Sequence, residues 1–337
     1  MARLQVAVLG CGAIFSRHLA ALESNHVEYD FVGYFDPNVE IQNKLKIELA
    51  EKKCYSSEDE VFNDSTINCI VILTPSYLHF KQAKRAILLG KNVIVEKPVS
   101  FNIDQIVELD KLSITHNVDV LCVLQVRLNP SIEIVKRTLE QNLLGDIRSS
   151  SLVQRWQRPV DYFSGWRSTY AECGGVLFEF GIHYLDIMQY LLGMPMVKAA
   201  TFYNTKYKNT EVADSVYSLL DFGGFGGTIE ICLTAEPHNI EVSLIIWGSQ
   251  GFIKLGGKSL DQILEAKFAN DSLQNNYIKI CNDVLGYTIG NQVEIGACPH
   301  HPELYRRVID EPKLFNVMQT YNVIKLISEI NLLESSK

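Results

Sequence analysis

No apolar run in this 337-residue chain approaches the ~18 residues that a helix needs to cross a bilayer. The eight cysteines, at 11, 54, 69, 122, 173, 232, 281 and 298, include no CxxC pair. They read as reduced thiols, and neither a disulfide framework nor a metal site is expected. Basic blocks are missing as well. With 31 Lys and Arg against 39 Asp and Glu, the formal net charge is −8, so the chain lacks the surface that displaces counterions from nucleic acid. The first apolar segment begins at about residue 3, which leaves no room for the charged and apolar regions of a signal peptide. A cytoplasmic protein with no nucleic-acid or membrane partner is expected. There are no repeats or low-complexity stretches. What is present is 47% hydrophobic content, enough to bury a sizeable core, and a length that suits two domains.

The opening Val6-Ala7-Val8-Leu9 drives into Gly10-Cys11-Gly12, and helical spacing resumes at Ile14, Leu19 and Leu22. This is a strand, a tight turn and a helix start. In such a turn the first glycine supplies the backbone conformation and the second admits a pyrophosphate, which rests on the free N–H groups of the helix. Gly10, Gly12, Ala13 and Ile14 line it. A third Gly or Ala is lacking, since Phe15 stands in its place. Cys11, inside the turn, reads as a small residue tolerated against a ligand. A second strand closes on Asp36, about 26 residues beyond Gly10, near the offset at which a dinucleotide fold places the carboxylate that accepts both ribose hydroxyls. No Arg or Lys follows in Pro37-Asn38-Val39-Glu40 to receive a 2′-phosphate, so NAD is favoured over NADP.

Helical spacing at 39–52 and from about 58 leads to an apolar strand at 67–73, ending in Thr74-Pro75-Ser76. Ser76 is expected to cap the next helix. Further strands at 92–95, ending in Glu96-Lys97-Pro98, and at 118–124 flank a helix that starts at Asn102. Alternating strands and helices predict a parallel sheet, with ligands outside the carboxyl ends where Gly10, Asp36, Thr74 and Lys97 lie. The texture changes at Gln125. A helix to about 144 and a strand at 147–157 lead to a loop rich in arginine and aromatics. Next comes a helix bearing Glu179, His183 and Asp186, followed by hairpins to about 255. A long loop with His300-His301-Pro302 precedes a final helix at about 314–333. The expected architecture is an α/β cofactor domain over 1–124 and an α+β domain over 125–337 with a large open, mainly antiparallel sheet.

A Lys at the end of a central strand pays a desolvation cost unless partners compensate. Lys97 can donate to a substrate hydroxyl and steady the alkoxide, with Glu96 balancing its charge. Glu179 and His183 are spaced i, i+4, which in an α-helix stacks them on one face, so the carboxylate can orient the imidazole as a general base. His300-His301 is an alternative base or substrate contact. Arg127, Arg155, Arg158 and Arg167 can pair with a diphosphate or carboxylate, or equally sit in surface ion pairs. Trp156, Trp166 or Tyr162 can stack on a base.

Taken together, GCGAIFSRH at 10–18, Asp36, TPSYLH at 74–79, EKP at 96–98 and GGVLFEFGIHYLD at 174–186 resemble the glucose-fructose oxidoreductase/inositol dehydrogenase (Gfo/Idh/MocA) family over nearly the whole chain. The resemblance implies a Rossmann domain, then an open-sheet domain that assembles homodimers or homotetramers. It also implies reversible hydride transfer between a nicotinamide cofactor and a ring carbon of a sugar or cyclitol. Cofactor contacts carry over onto Gly10, Gly12, Ala13, Ile14, Asp36, Thr74, Pro75, Ser76, His79, Glu96, Lys97 and Gln125, and the chemistry onto Lys97 and His183. Glu179 departs from the Asp common in the family at that place. QVRLNP at 125–130 with GWR at 165–167 looks most like the nucleotide-sugar 3-dehydrogenases of bacterial surface-polysaccharide or lipid A sugar synthesis. Those act on UDP-N-acetylglucosamine or its uronic acid. Arg127, Arg155, Trp166 and Arg167 would join Lys97 and His183 at the substrate. The alternatives are a free-sugar or inositol dehydrogenase of catabolism and an NAD(P)-binding regulatory sensor.

Overall fold

A computed structural model describes residues 3–207, 210–286 and 300–334, so Cys298 lies outside the described residues. Two compact units emerge, Met1–Leu124 with His301–Tyr321, and Gln125–His300 with Asn322–Lys337.

The first unit alternates strand and helix: β1 (Leu4–Leu9), α1 (Phe15–Ser24), β2 (Tyr29–Phe35), α2 (Val39–Glu48), β3 (Lys53–Cys54), α3 (Glu58–Asn63), β4 (Cys69–Ile72), α4 (Ser76–Leu88), β5 (Asn92–Val95), α5 (Ile103–His116) and β6 (Val120–Cys122). The sheet order is β3-β2-β1-β4-β5-β6 with every pairing parallel. Val6 to Leu9 and Cys69 to Ile72 are buried throughout, as strands covered on both faces must be. Side chains of Asn38, Ser57 and Asn102 cap α2, α3 and α5. Ser76 is instead the first residue of α4, with Pro75 at the cap and no side-chain cap bond. The expected helix over 39–52 ends at Glu48, and the expected strand over 118–124 narrows to three residues.

The second unit contains α6 (Pro130–Glu140), β7 (Ile147–Arg155), α7 (Tyr170–Cys173), α8 (Ile182–Leu192), β8 (Met196–Tyr203), β9 (Ser215–Asp221), β10 (Gly226–Cys232), β11 (Glu241–Gly248), β12 (Gly251–Gly256), β13 (Gln262–Phe268) and α9 (Asp271–Leu285). Its strands form one sheet, β13-β12-β11-β7-β10-β9-β8, antiparallel except for the β7–β10 pair. Strand periodicity separates two faces. Ser150, Leu152 and Gln154 with Ile229 and Ile231 are buried. On that side a Cβ added to Gly181 would meet Ile231 at 3.4 Å, and one added to Gly227 would meet Met188 at 3.2 Å, so α8 and the turn before it cover this face. The opposite, open face carries Ser151, Val153, Tyr217, Leu219 and Glu230 around a depression of about 320 Å³.

The expected long loop around His300 is instead a helix, α10 (His300–Asp310), and the last helix, α11 (Tyr321–Leu332), starts later than the expected 314, after two short 3₁₀ turns. Pro302 falls in the first turn of α10, where its missing N–H costs nothing; the same proline in sequence reads as a breaker. From His301 on, α10 belongs to the first unit, a return that a linear division at residue 124 does not contain. Among the described residues no helix is long and apolar enough to cross a membrane.

Candidate active site

In the first unit the glycine turn joins β1 to α1. Gly10 has φ +87°, and a Cβ there would lie 2.8 Å from the Leu73 carbonyl group, so this position requires glycine. A Cβ on Gly12 would meet nothing within 4 Å, and no side chain caps α1 at Ile14, leaving an open backbone cradle at a helix start. Asp36, 7% exposed, stands just past β2. Its Oδ2 accepts the Cys11 N–H at 2.7 Å and its Oδ1 the Asn38 N–H at 2.8 Å, which orients the carboxylate. Burial, then the Asp36 charge, pushes the Cys11 thiol far up, so it is no nucleophile. The cradle and the oriented acid fit a dinucleotide, its pyrophosphate on the turn and a ribose on Asp36.

Thr74 and Lys97 follow the parallel strands β4 and β5. His79 ties these strand ends together, with Nε2 2.7 Å from the Thr74 carbonyl oxygen and Nδ1 2.7 Å from that of Pro98. Thr74 Oγ1 donates to Gln82 Oε1 at 2.5 Å. Glu96 Oε2 accepts the Lys97 N–H at 3.0 Å, and its Oε1 lies 3.0 Å from His18 Nε2 and 3.6 Å from His301 Nε2. A carboxylate only accepts, so His18 Nε2 carries the proton and Nδ1 accepts from the Tyr305 hydroxyl at 2.8 Å. His301 is 3% exposed beside Glu96, which revises its expected role as a base or substrate contact.

In the second unit, Leu177–Gly181 wind as a π-helical turn leading into α8, a rare form often found at functional sites. The i, i+4 expectation for Glu179 and His183 assumed a continuous α-helix. Here the winding is π-helical, and Glu179 Oε1 accepts the Tyr162 hydroxyl at 2.8 Å and Arg167 Nε at 2.9 Å. His183 follows on the first turn of α8, half-buried. Arg167 also stacks on Trp166, 4.1 Å from ring centroid to guanidinium carbon. Gln125 opens a 3₁₀ turn, and its Oε1 is buried without a hydrogen-bond partner among the described residues.

Two expected substrate contacts are revised. Arg127 is engaged by Asp186 through Nε at 2.7 Å and Nη2 at 2.6 Å, with side chains 8% and 2% exposed. It locks α8 to the turn after residue 124. Arg155 pairs with Glu230 at 2.5 Å and Glu241 at 2.7 Å on the open face of the sheet, away from the face that α8 covers. Period-2 geometry decides this, because Arg155 shares the parity of Ser151 and Val153.

Residues 4–123 match the model of an oxidoreductase family with an NAD-binding Rossmann fold, and 132–254 match the C-terminal domain of the same family. The chain belongs to the Gfo/Idh/MocA oxidoreductases. Together these matches cover more than half of it. As a member it is an enzyme with NAD as cofactor, and its first unit is the NAD-binding domain. An uncharacterised oxidoreductase of Synechocystis is 28% identical over 76% of this chain and 72% of its own length. A scyllo-inositol 2-dehydrogenase (NADP(+)) of Bacillus subtilis is 25% identical over 78% and 72%. Among solved structures, the WlbA dehydrogenase of Bordetella pertussis, in complex with NADH and UDP-GlcNAcA, superposes with TM-score 0.85 at 24% identity, covering 99% of this chain and 96% of that one.

In this Gfo/Idh/MocA chain the connection behind Lys97 was invisible in sequence, because His18 and Tyr305 lie 287 positions apart. The one available signal was a histidine on a helix otherwise read as apolar toward the sheet. The cluster makes stability depend on pH. Burial lowers the His18 pKa, whereas an unfolded His titrates near ~6.5, so below that value the unfolded chain takes up a proton that the folded one refuses. Stability is therefore full above pH ~6.5 and falls as pH drops, by up to ~1.4 kcal/mol per pH unit for this group. The carboxylate of Glu96 is depressed: burial opposes this, and the hydrogen bond from His18 with the neighbouring His301 ring, 3.6 Å away, outweighs it. Its contribution holds above its unfolded value, near ~4.3, and is lost on further acidification. Urea midpoints at pH 7.5 and 5.5 should differ in wild type and converge in His18→Asn; equal midpoints in wild type would refute the assignment.

Proposed function

We propose that the enzyme oxidises a ring hydroxyl, at C3, of a UDP-linked N-acetylhexosamine or its uronic acid. The observation that carries this reading is the loop between β7 and α7. Its Tyr162 and Arg167 bond Glu179 on the π-helical turn, and Arg158 lies over Phe180 of the same turn, so cations and aromatic rings crowd the entrance to α8. A free cyclitol gives such a loop little to bind, whereas a nucleotide sugar offers a diphosphate and a base. The likeness to WlbA, which was crystallised with UDP-GlcNAcA, supports the same choice.

When bound, NAD supplies the hydride acceptor; Gly10, Gly12 and Asp36 would hold it. His183 takes the proton of the reacting hydroxyl, and Lys97 donates to that oxygen and steadies its developing negative charge. Glu179, held by Tyr162 and Arg167, fixes the turn from which His183 projects. Assembly as a homodimer or homotetramer through the open sheet face belongs to the same reading, since Tyr203, Tyr217 and Leu219 are exposed there. Product 3-keto sugar would suit a following aminotransferase.

The test is NADH formation, read by absorbance, with UDP-N-acetylglucosamine, its uronic acid, glucose, and scyllo- and myo-inositol. Turnover confined to UDP-sugars is expected. Turnover confined to free polyols would favour the catabolic reading, for which the 25% identical inositol dehydrogenase is the supporting relative.

A further inference from the structure

Three of the four candidate arginines are neutralised within the chain: Arg127 by Asp186, Arg155 by Glu230 and Glu241, and Arg167 by Glu179. Arg158 differs. Among the described residues it forms no ion pair, and its single side-chain hydrogen bond runs from Nη1 to the Gln157 carbonyl oxygen at 2.7 Å. A guanidinium has five N–H donors, so four remain uncommitted. The group is nevertheless firmly placed. It lies over Trp156 at 4.6 Å and Phe180 at 4.8 Å from the ring centroids. Its own carbonyl oxygen accepts from Tyr207 Oη at 2.7 Å and Lys206 Nζ at 2.9 Å.

This is a costly arrangement without an anion. The Trp156 and Phe180 rings, with centroids 6.1 Å apart and planes at 81°, wall adjacent sides of the guanidinium. Burial pushes its pKa down, with the nearby phenols of Tyr162, Tyr207 and Tyr184 and the charge of Glu179 acting against that. The uncommitted N–H groups, which lie along the edge of the guanidinium plane, remain for binding. That edge matches the planar, two-oxygen face of a carboxylate or phosphate. Phe180 also fixes where the fork sits, because it belongs to the π-helical turn three residues before His183.

We propose that Arg158 is the anion subsite of the substrate, its guanidinium binding carboxylate or phosphate oxygens carried by the sugar that His183 deprotonates. The proposal rests on the reading of His183 as the base and sharpens the substrate class to an anionic sugar. Arg127 and Arg155, the arginines closest to a conventional reading of the sequence, play no part in it.

Calorimetric titration of wild type, Arg158→Ala and Arg158→Lys with glucuronate, UDP, UDP-N-acetylglucosamine and glucose tests this without relying on turnover. Expected is a loss in Arg158→Ala of about 10- to 100-fold in affinity for the anion relative to glucose, with Arg158→Lys, which keeps the charge but not the fork, in between. A loss confined to glucuronate assigns the partner as a carboxylate, and a loss confined to UDP assigns it as a diphosphate. The proposal is overturned if Arg158→Ala binds both anions as wild type does, if its glucose affinity falls by the same factor, or if wild type binds neither anion. Anion binding through Arg158 without oxidation of any UDP-sugar would refute the proposed function and leave this subsite standing. Oxidation of UDP-sugars with an unchanged KM in Arg158→Ala would do the reverse.

Discussion

Replacing His183 by Ala should lower kcat by about 10²–10⁴ on the best sugar substrate while leaving the Kd of NAD within about twofold, because the imidazole is assigned to the hydroxyl proton and not to the cofactor. A missing base also changes the pH profile. Wild-type kcat/KM should rise through the pKa of the base, and in His183→Ala that limb should flatten, with activity recovering only as hydroxide replaces the side chain. Lys97→Ala should cost a similar factor by removing the charge that steadies the oxygen. The double variant should fall little further than the worse single one, since groups acting on one oxygen are strongly non-additive. Turnover within tenfold of wild type in both single variants, with the pH profile intact, would sink the assignment. Glu179→Gln is the control for positioning. Losing the charge that Arg167 faces should lower kcat less than His183→Ala while keeping the limb in place.

The second large effect is on stability. Arg127→Ala leaves the Asp186 carboxylate, 2% exposed, buried without its bidentate partner, and should destabilise the second unit by about 3–5 kcal/mol. The Gln189 side-chain amide, 3.1 Å from Asp186 Oδ1, is too weak a donor to compensate. Stacking of Arg127 over Tyr190, at 4.6 Å, is lost as well. The pair itself is a different matter from its halves. Two charges taken out of water gain little net, so Arg127→Met with Asp186→Leu should recover most of the loss. Urea unfolding followed by circular dichroism measures both. A fall below about 1 kcal/mol in Arg127→Ala, the range of exposed ion pairs, would show that the pair is solvated and that its burial in the fold is misread.

Local signals carried the cofactor half. The apolar run before Gly10, the acid at Asp36 and the strand ends at Thr74 and Lys97 are each written in a few consecutive residues. A parallel sheet with right-handed crossovers places such strand ends on one side. The sequence also held the switch to an antiparallel sheet after residue 193, because hairpin turns and alternation are short-range features. Legibility failed wherever a contact spans the chain or a helix changes pitch. His18, Glu96 and His301 are far apart in sequence, and α10 hid behind a proline. The π-helical turn is one extra residue of winding, which no i, i+4 count detects, and the partners of Glu179 on it, Tyr162 and Arg167, come from a loop that precedes it.

By itself, then, the sequence determined that this chain is an oxidoreductase of known family with a parallel-sheet domain ahead of a mainly antiparallel one, and it nominated Lys97 and His183 as the chemical groups proposed here, since residue type and spacing along one strand or helix suffice for that. Which arginine is left to meet an anion was decided only by the tertiary structure. Counter-charges come from other strands and helices, and strand parity sends Arg155 to one face of the sheet while Arg158, beyond the strand end, stacks on the turn that leads to His183.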